Sequence, residues 1–542
     1  MDKVKVERLD HLGIIAGVIK ELGIVEMIDE RIVPDDREEI STGEAVSGMI
    51  LNGLGFSQRP VSLTPQFFKS KPMEALFRAG VSSDHFNRFK LGRSLDKVYG
   101  YGCDLLFSEL AVSACVQEGI DVRFNSLDTT TFSLTGEYVP ETDEQAILIT
   151  RGHSKDHRPD LKQAVLEVMV SHDGGVPILS QSWDGNTSDT EVFKERSAAL
   201  IAQFEASETP RYLIADSKLY TKENAVNLAR LWFMTRIPET LKVAQQVIDQ
   251  AWSFDQWQEM EGEETYRYQR FDLCHYGMEQ RWLVIYSEAA WQRGEQTVAR
   301  AVAKEQERVD KQLFHLQAQR FESQKAAYAA RDKIAKSLRY HQIAHSTLIQ
   351  HIQYAKKGRP TKDTPIKAIL WQIKADLAPD PEKILHRKQH KACFVLGTRI
   401  PDTELTDEDV LVGYKGQSSV ERGFRFLKDP LFFASSLFVT KPSRIQGLLM
   451  VMTLALLVYS LAQRRARTQL QSQKETLPNQ IGQPTSTPTL RWIFQLLDGI
   501  HRVILYTERH VQTIIEGLTD LRIKILRLFG QKVCHIYHIS SP

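Results

Sequence analysis

"YKGQSSVERGFRFLKDP", residues 414–430, carries a tyrosine, a glutamate seven positions on and a lysine seven beyond that. Seven residues come close to two helical turns, so a helix running the whole way would line Tyr414, Glu421 and Lys428 along one face. Taken alone, such a stripe is ordinary solvated surface. The segments upstream give it another meaning.

Between residues 120 and 240 the pattern alternates strands and helices, each bounded by turn residues. "DVRFNSLDTTTFSL", "KQAVLEVMVS" and "VPILSQSWDG" read as three strands, followed by the helix "DTEVFKERSAALIAQF". Strand "RYLIADSKL", helix "TKENAVNLARL" and strand "WFMTRIP" complete the order β-β-β-α-β-α-β. Asp128 sits inside the first strand and Asp216 at the carboxyl end of the fourth. At that edge of an α/β sheet ligands collect, and a carboxylate among Leu, Ile and Ala is costly unless something pairs with it. A lone Asp at a strand end is ordinarily a turn or helix cap. Two of them, with a Glu on a later helix, suit hard divalent ions that activate a water or 3′-hydroxyl for in-line attack on phosphate. That chemistry explains acids here rather than His or Cys.

These residues resemble the DDE transposases of bacterial insertion sequences, which have an RNase H-like core. More narrowly they resemble the subgroup whose third motif reads Tyr, two residues, Arg, three residues, Glu, six residues, Lys. In this chain the positions are Tyr414, Gln417, Glu421 and Lys428, with spacing matched at all four and identity at three. The resemblance implies that Asp128, Asp216 and Glu421 are the catalytic acids and metal ligands, holding two Mg²⁺ or Mn²⁺ ions per active site. It also implies that Tyr414 and Lys428 contact DNA phosphates beside the scissile bond. Gln417 departs from the pattern, because Gln lacks the charged fork of the family's Arg. Arg422 and Arg425 are the nearby candidates to compensate, from other sides of the helix. "GHSKDHRPDLKQ" (residues 152–163), "GNTSD" (185–189) and "TRIP" (235–238) look like further blocks of one branch of the family.

The implied fold is α/β: an RNase H-like mixed sheet with helices on both faces, interrupted by an insertion with a long helix, plus a helical N-terminal domain. The expected division is a helical, DNA-binding domain at 1–115, the first part of the core at 116–240 and an insertion at 241–390. The second part of the core, with the Glu helix, follows at 391–465, then a linker and basic helical tail at 466–542. Helical periodicity at residues 9–32 and a capping box at Ser41 and Glu44 mark the first domain. In the insertion, one long polar helix is expected from about Glu288 to Arg339. After it, "ACFVLGTRI" reads as a strand returning to the sheet.

Composition agrees with a globular protein of several domains, with 542 residues, 42% hydrophobic and 25% charged. The net charge of +1 hides two basic regions: Lys and Arg outnumber acids over 325–391, and residues 441–542 carry 13 Lys and Arg against 5 Asp and Glu. Five scattered cysteines without a C-x-x-C pair argue against a disulfide framework or zinc ribbon and fit a reducing compartment. The polar start "MDKVKVERLD" lacks the apolar stretch of a secretory signal. A cytoplasmic, nucleoid-associated bacterial protein is the expectation. "GLLMVMTLALLVYSLA", residues 447–462, is short for a membrane span of ~20 residues and is read as a buried core helix, with no membrane partner. Its basic sequel "QRRAR" is expected to face nucleic acid.

Weaker motifs remain. Lys155 and Arg158, with Arg151 and Lys162, form a basic loop expected to touch DNA. His153 and His157 within it stand four apart, but the Gly and Pro around them favour a loop over a zinc site. Residues 356–362, "KKGRPTK", have the Gly-Arg-Pro core of minor-groove binders, although a solvated loop explains them equally. Trp252, Trp257, Trp282 and Trp291 are stacking candidates for an extruded base, with packing the ordinary role.

The expected partners are therefore double-stranded DNA, both the terminal inverted repeats and the target, and a second copy of the chain. Metal-dependent cleavage at the ends would be followed by joining of the 3′-hydroxyls, with a hairpin intermediate open. The rivals are a non-catalytic DNA binder derived from such a core and an RNase H-like nuclease without strand transfer.

Overall fold

The β-branched run Thr129–Thr130–Thr131 and the alternation around it favour an extended chain. In the computed structural model this stretch forms β1 (Phe124–Leu134). The structure describes residues 3–540 apart from 57–59, 139–145, 157, 206–210, 261–265, 356–358, 360–364, 430–438 and 507–509. The chain divides into two units, Met1–Thr235 with Asp409–Pro542, and Arg236–Glu408.

In the first unit β1 is joined by β2 (Lys162–Ser171), β3 (Pro177–Trp183), β4 (Tyr212–Ala215) and β5 (Trp232–Arg236). Their order across the sheet is β3-β2-β1-β4-β5. The first three run antiparallel as a meander, whereas β4 and β5 lie parallel to β1 and to each other. This is the RNase H-like order expected from the sequence. Parallel neighbours need a crossover, and helix Asp189–Glu205 makes the one from β3 to β4. The helix expected between β4 and β5 shrinks to a single turn, Ala225–Leu228. Asn224, fully buried, donates from its amide to the Leu219 carbonyl at 3.2 Å and so holds the preceding chain in a loop.

The apolar stretch at 447–462 lies within a 31-residue helix, Pro442–Ser472. Among the described residues it is the one helix long and apolar enough to cross a membrane, yet 89% of its most apolar 18-residue window is buried inside the protein. It packs against helices Thr42–Leu54, Arg88–Tyr101 and Cys103–Glu118 and against β3. The polar Thr453 within it is satisfied in place. Thr453 donates its hydroxyl to the Leu449 carbonyl at 3.0 Å and accepts from Ser180 at 3.1 Å.

The arginines that follow do not present themselves to nucleic acid, contrary to the expectation. Arg464 makes a two-pronged pair with Asp173, 2.7 Å on each prong, and Arg465 pairs with Glu118 and Glu21. Partly buried guanidinium groups on this core helix require such partners.

Both ends of the sequence depart from the helical reading. "KVKVER" alternates with a period of two, and Lys3–Arg8 is a strand paired antiparallel to His501–Tyr506, which in turn pairs with Val511–Glu516. The tail is thus a hairpin with short helices, and Tyr537 is fully buried with its hydroxyl donating to the Asp10 carbonyl. The Gln/Pro/Thr-rich stretch also contains a small antiparallel ladder, Leu477–Pro478 against Pro484–Thr485.

In the second unit, strands Tyr266–His275, Met278–Ser287 and Cys393–Thr398 lie antiparallel. The expected long helix is broken into Glu288–Ala318 and Gln324–Ala335. Phe321, between them, exchanges two backbone hydrogen bonds of 2.7 Å with Trp371, and Ser323 caps the second helix. Trp371 belongs to a long hairpin, His341–Tyr354 with Ile366–Pro379. Trp282 is fully buried, while Trp252, Trp257 and Trp291 are half-buried and gather with Tyr286.

Candidate active site

Asp128 and Asp216 are brought side by side by strand register. Leu127 of β1 is the parallel partner of Ala215 of β4, so the next residue on each strand is a carboxylate. Parallel strands lie ~4.8 Å apart, which sets the two acids as neighbours on one face. The Asp216 carboxylate accepts from the Ser217 amide at 2.6 Å and caps the short turn Ser217–Leu219. Its cap role and its place at the strand end therefore coexist.

A small cavity at this edge is lined by Asp128, Asp216, Asp189 and Lys218 among others. Lys155 reaches in from the loop before β2, its ammonium 3.8 Å from Asp128 and 3.1 Å from Asp189. The same ammonium donates to the Thr129 carbonyl and hydroxyl, both at 2.6 Å. Lys218 pairs with Asp189 at 2.8 Å, and the Thr129 hydroxyl donates to Asp189. Burial pushes the Asp128 carboxyl up to about 6, against a partial pull downward from Lys155. Burial also acts upward on Asp189, but Lys155, Lys218 and Thr129 outweigh it and hold that carboxyl down at about 2. One acid of the cavity is thus compensated and its neighbour is not.

Asp189 and Lys218 were not singled out from sequence. Asp189 closes the quoted "GNTSD" block, where Ser-Asp before a helix reads as capping, and Lys218 lies two residues after Asp216. Gly185 of that block sits against backbone: a Cβ there would lie 2.0 Å from the Gln163 carbonyl oxygen and 2.6 Å from that of Thr150. Gly185→Ala is expected to cost about 3 kcal/mol, the upper end of overpacking, measured as a lowered midpoint of urea unfolding.

The opening stretch does not form one helix. Asp407–Lys415 ends, the chain turns at Gly416 and Gln417, and a second helix spans Ser418–Leu427. The turn packs closely: a Cβ at Gly416 would lie 2.2 Å from the His172 ring, so only glycine fits there. Burial holds His172 down at about 4, hence neutral, and its imidazole hydrogen-bonds Ser126 of β1 at 2.6 Å. The second helix packs on β1 and β2. Glu421 lies exposed on it, outside the lining of the Asp128 cavity, with no hydrogen bond or ion pair among the described residues. Lys428, the helix C-cap, pairs with Asp156 at 2.6 Å and lies 5.9 Å from the centre of the Phe132 ring.

Of the remaining candidates, Arg422 and Arg425 are exposed on the Glu421 helix, and Tyr414 and Gln417 are half-buried on either side of the turn. Arg158 makes a two-pronged pair with Asp160, at 2.9 and 2.8 Å. The structure thus brings together Asp128, Asp216 and Lys155, and ties Lys428 to the Lys155 loop. It leaves Glu421 and the arginines apart. His153 is exposed, and His157 and the basic loop at 356–362 lie outside the described residues, Arg359 excepted.

A model of the transposase DDE domain matches residues 124–458, and a domain of unknown function, DUF4277, matches residues 4–112. No curated protein matches the sequence. Among solved structures the chain is similar to a piggyBac transposase in a synaptic complex with hairpin DNA, with a TM-score of 0.33 and 10% identity, over 92% of this chain and 82% of that one. Because the first match spans more than half of the chain, from the start of β1 into the buried core helix, the chain belongs to the transposase DDE domain family.

Proposed function

We propose that this DDE transposase cleaves DNA at the terminal inverted repeats of a bacterial insertion sequence and joins the freed 3′-hydroxyls to target DNA. The observation that carries the reading is the pairing of Asp128 and Asp216 at the ends of adjacent parallel strands in one cavity, with Asp128 half-buried and incompletely compensated. Such a pair fits a hard divalent ion, whose charge would relieve the burial of Asp128. In this reading Asp128 and Asp216 would hold Mg²⁺ or Mn²⁺, and Glu421 would complete two ion sites by moving in from its exposed place on the neighbouring helix. When bound, these ions activate the attacking oxygen and stabilise the leaving one. In cleavage a water oxygen attacks phosphorus and the bond to the 3′-oxygen breaks. In joining, that 3′-oxygen attacks a target phosphorus and displaces the target's own 3′-oxygen.

The chain's other residues orient DNA. Tyr414 and Lys428 donate to phosphates beside the scissile bond, and Arg422 and Arg425 supply the charge that Gln417 lacks. Lys155, beside Asp128 and Asp189, would bind a phosphate at the cavity, and Arg158 would extend the same loop's contact. The helical N-terminal module, residues 1–115, binds the ends, and two copies of the chain synapse them in the bacterial cytoplasm, associated with the nucleoid.

Because metal binding requires the ionised carboxylate, protons and ions compete at Asp128. With that carboxyl held at about 6, lowering the pH below it protonates the group and weakens binding about tenfold per unit. Half-maximal end cleavage is expected to need about tenfold more Mg²⁺ near pH 5 than near pH 7. The test of function is end cleavage by wild type and by Glu421→Gln on DNA carrying the repeats. Cleavage by wild type alone supports the reading. Equal cleavage by both removes Glu421 from the site, and cleavage by neither favours a non-catalytic DNA binder.

A further inference from the structure

Among the described residues one cluster offers three metal-ligating atoms within 4.8 Å of one another, and it lies in the second unit, apart from the acids above. Asp249 is on helix Lys242–Phe254, and His386 and His390 are on helix Pro381–Ala392. The two histidines stand four apart, on one face of that helix. Their Nε2 atoms converge on the same oxygen, Oδ1 of Asp249, at 2.8 Å from His386 and 2.6 Å from His390. The imidazole centroids are 4.3 Å apart. The scaffold is well fixed: Pro381 opens the helix, the Asp380 side chain accepts from the Lys383 amide at 3.2 Å, and Lys388 pairs with Glu295 at 2.9 Å.

Two imidazole nitrogens aimed at one carboxylate oxygen crowd three would-be ligands around a single point. Without an ion, each ring must spend its N–H on the same acceptor. We propose that Asp249, His386 and His390 form a transition-metal site, with Zn²⁺ the ion best suited to two imidazoles and a carboxylate, and that it clamps helix Lys242–Phe254 to helix Pro381–Ala392. Ligands held 2.0–2.2 Å from tetrahedral zinc stand about 3.3 Å apart, so each histidine–aspartate contact opens by only about half an ångström to admit the ion. Nitrogen ligands select such an ion over Mg²⁺, which separates this site from an all-carboxylate one. A fourth position faces solvent, since Asp249 and His386 are each about half exposed. The clamp joins segments 137 residues apart in the chain.

The test uses chelator-treated full-length protein titrated with Co²⁺, whose visible absorption is intense at four-coordinate sites and weak at six-coordinate oxygen sites, together with thermal unfolding in Zn²⁺. Wild type and the Asp128→Asn/Asp216→Asn double variant are expected to show the intense absorption, which Zn²⁺ abolishes by displacement, and a Zn²⁺-dependent rise in Tm. His386→Gln, a half-exposed change that leaves the fold intact, and His390→Ala are expected to lose both signals. Weak absorption in wild type, or intense absorption persisting in His386→Gln, would overturn the site.

Discussion

Asp128→Asn protein is expected to bind DNA ends as wild type does and to lose end cleavage by at least about 10³-fold, the order found when one preorganised charge-stabilising group is removed. The same substitution is expected to stabilise the metal-free protein. Asp128 has an ordinary value of 3.8 and is pushed up to about 6 by burial, so the folded state binds its proton more tightly than the unfolded chain does. The resulting stability is present below about pH 4 and is lost as pH rises through about 6, which leaves the ionised carboxylate as a cost at neutral pH. That gap corresponds to at most about 3 kcal/mol. Asn removes the charge, so urea unfolding at pH 7 in a chelator should show a higher midpoint for the variant and the difference should shrink toward pH 4. An inactive variant that is also less stable at pH 7 would mean that Asp128 holds the fold rather than the ion.

The second large effect lies in the core helix. Leu457 is fully buried near the middle of Pro442–Ser472, so Leu457→Ala is expected to cost about 2–5 kcal/mol, the transfer term plus that of the cavity left behind. Leu457→Met, nearly equal in volume, should cost less than about 1.5 kcal/mol. Unfolding of the purified chain measures both. Equal, negligible effects would contradict the place of this helix at the centre of the first unit.

The sheet of the first unit was legible because its signals are local. β2 coincides with "KQAVLEVMVS", after its first two residues an apolar run interrupted only by Glu167, and β1 and β5 lie within the quoted segments. The pairing of Asp128 with Asp216 follows once those strands are parallel neighbours, and strand order could be inferred only through family resemblance. What escaped depends on contacts between distant residues. The helix expected from Glu288 to Arg339 gives way at Phe321, which pairs with Trp371, and the single helix on which the 414–428 stripe would depend is divided at Gly416 and Gln417. Arg464 and Arg465 read as nucleic-acid contacts until Asp173, Glu118 and Glu21 arrive beside them. Asp189, read as a helix start, becomes the partner of Lys155 only when that loop folds over β1.

Histidine spacing makes the same point. His153 and His157 stand four apart, yet His153 has no carboxylate partner among the described residues. The identical separation at His386 and His390 gains a third ligand from Asp249, far away in the chain. Spacing proposes a face, and tertiary packing decides what stands opposite it.

The central claim is that acids on β1, β4 and the Glu421 helix carry a strand transfer. The most direct measurement incubates the purified chain and Mg²⁺ with DNA bearing labelled 3′ ends of the terminal repeats and a supercoiled target, and sequences the products. The account predicts target molecules joined to the labelled 3′ ends by wild type and none by Asp216→Asn. Cleaved ends with no joined product in wild type, or joining that survives Asp216→Asn, would contradict it.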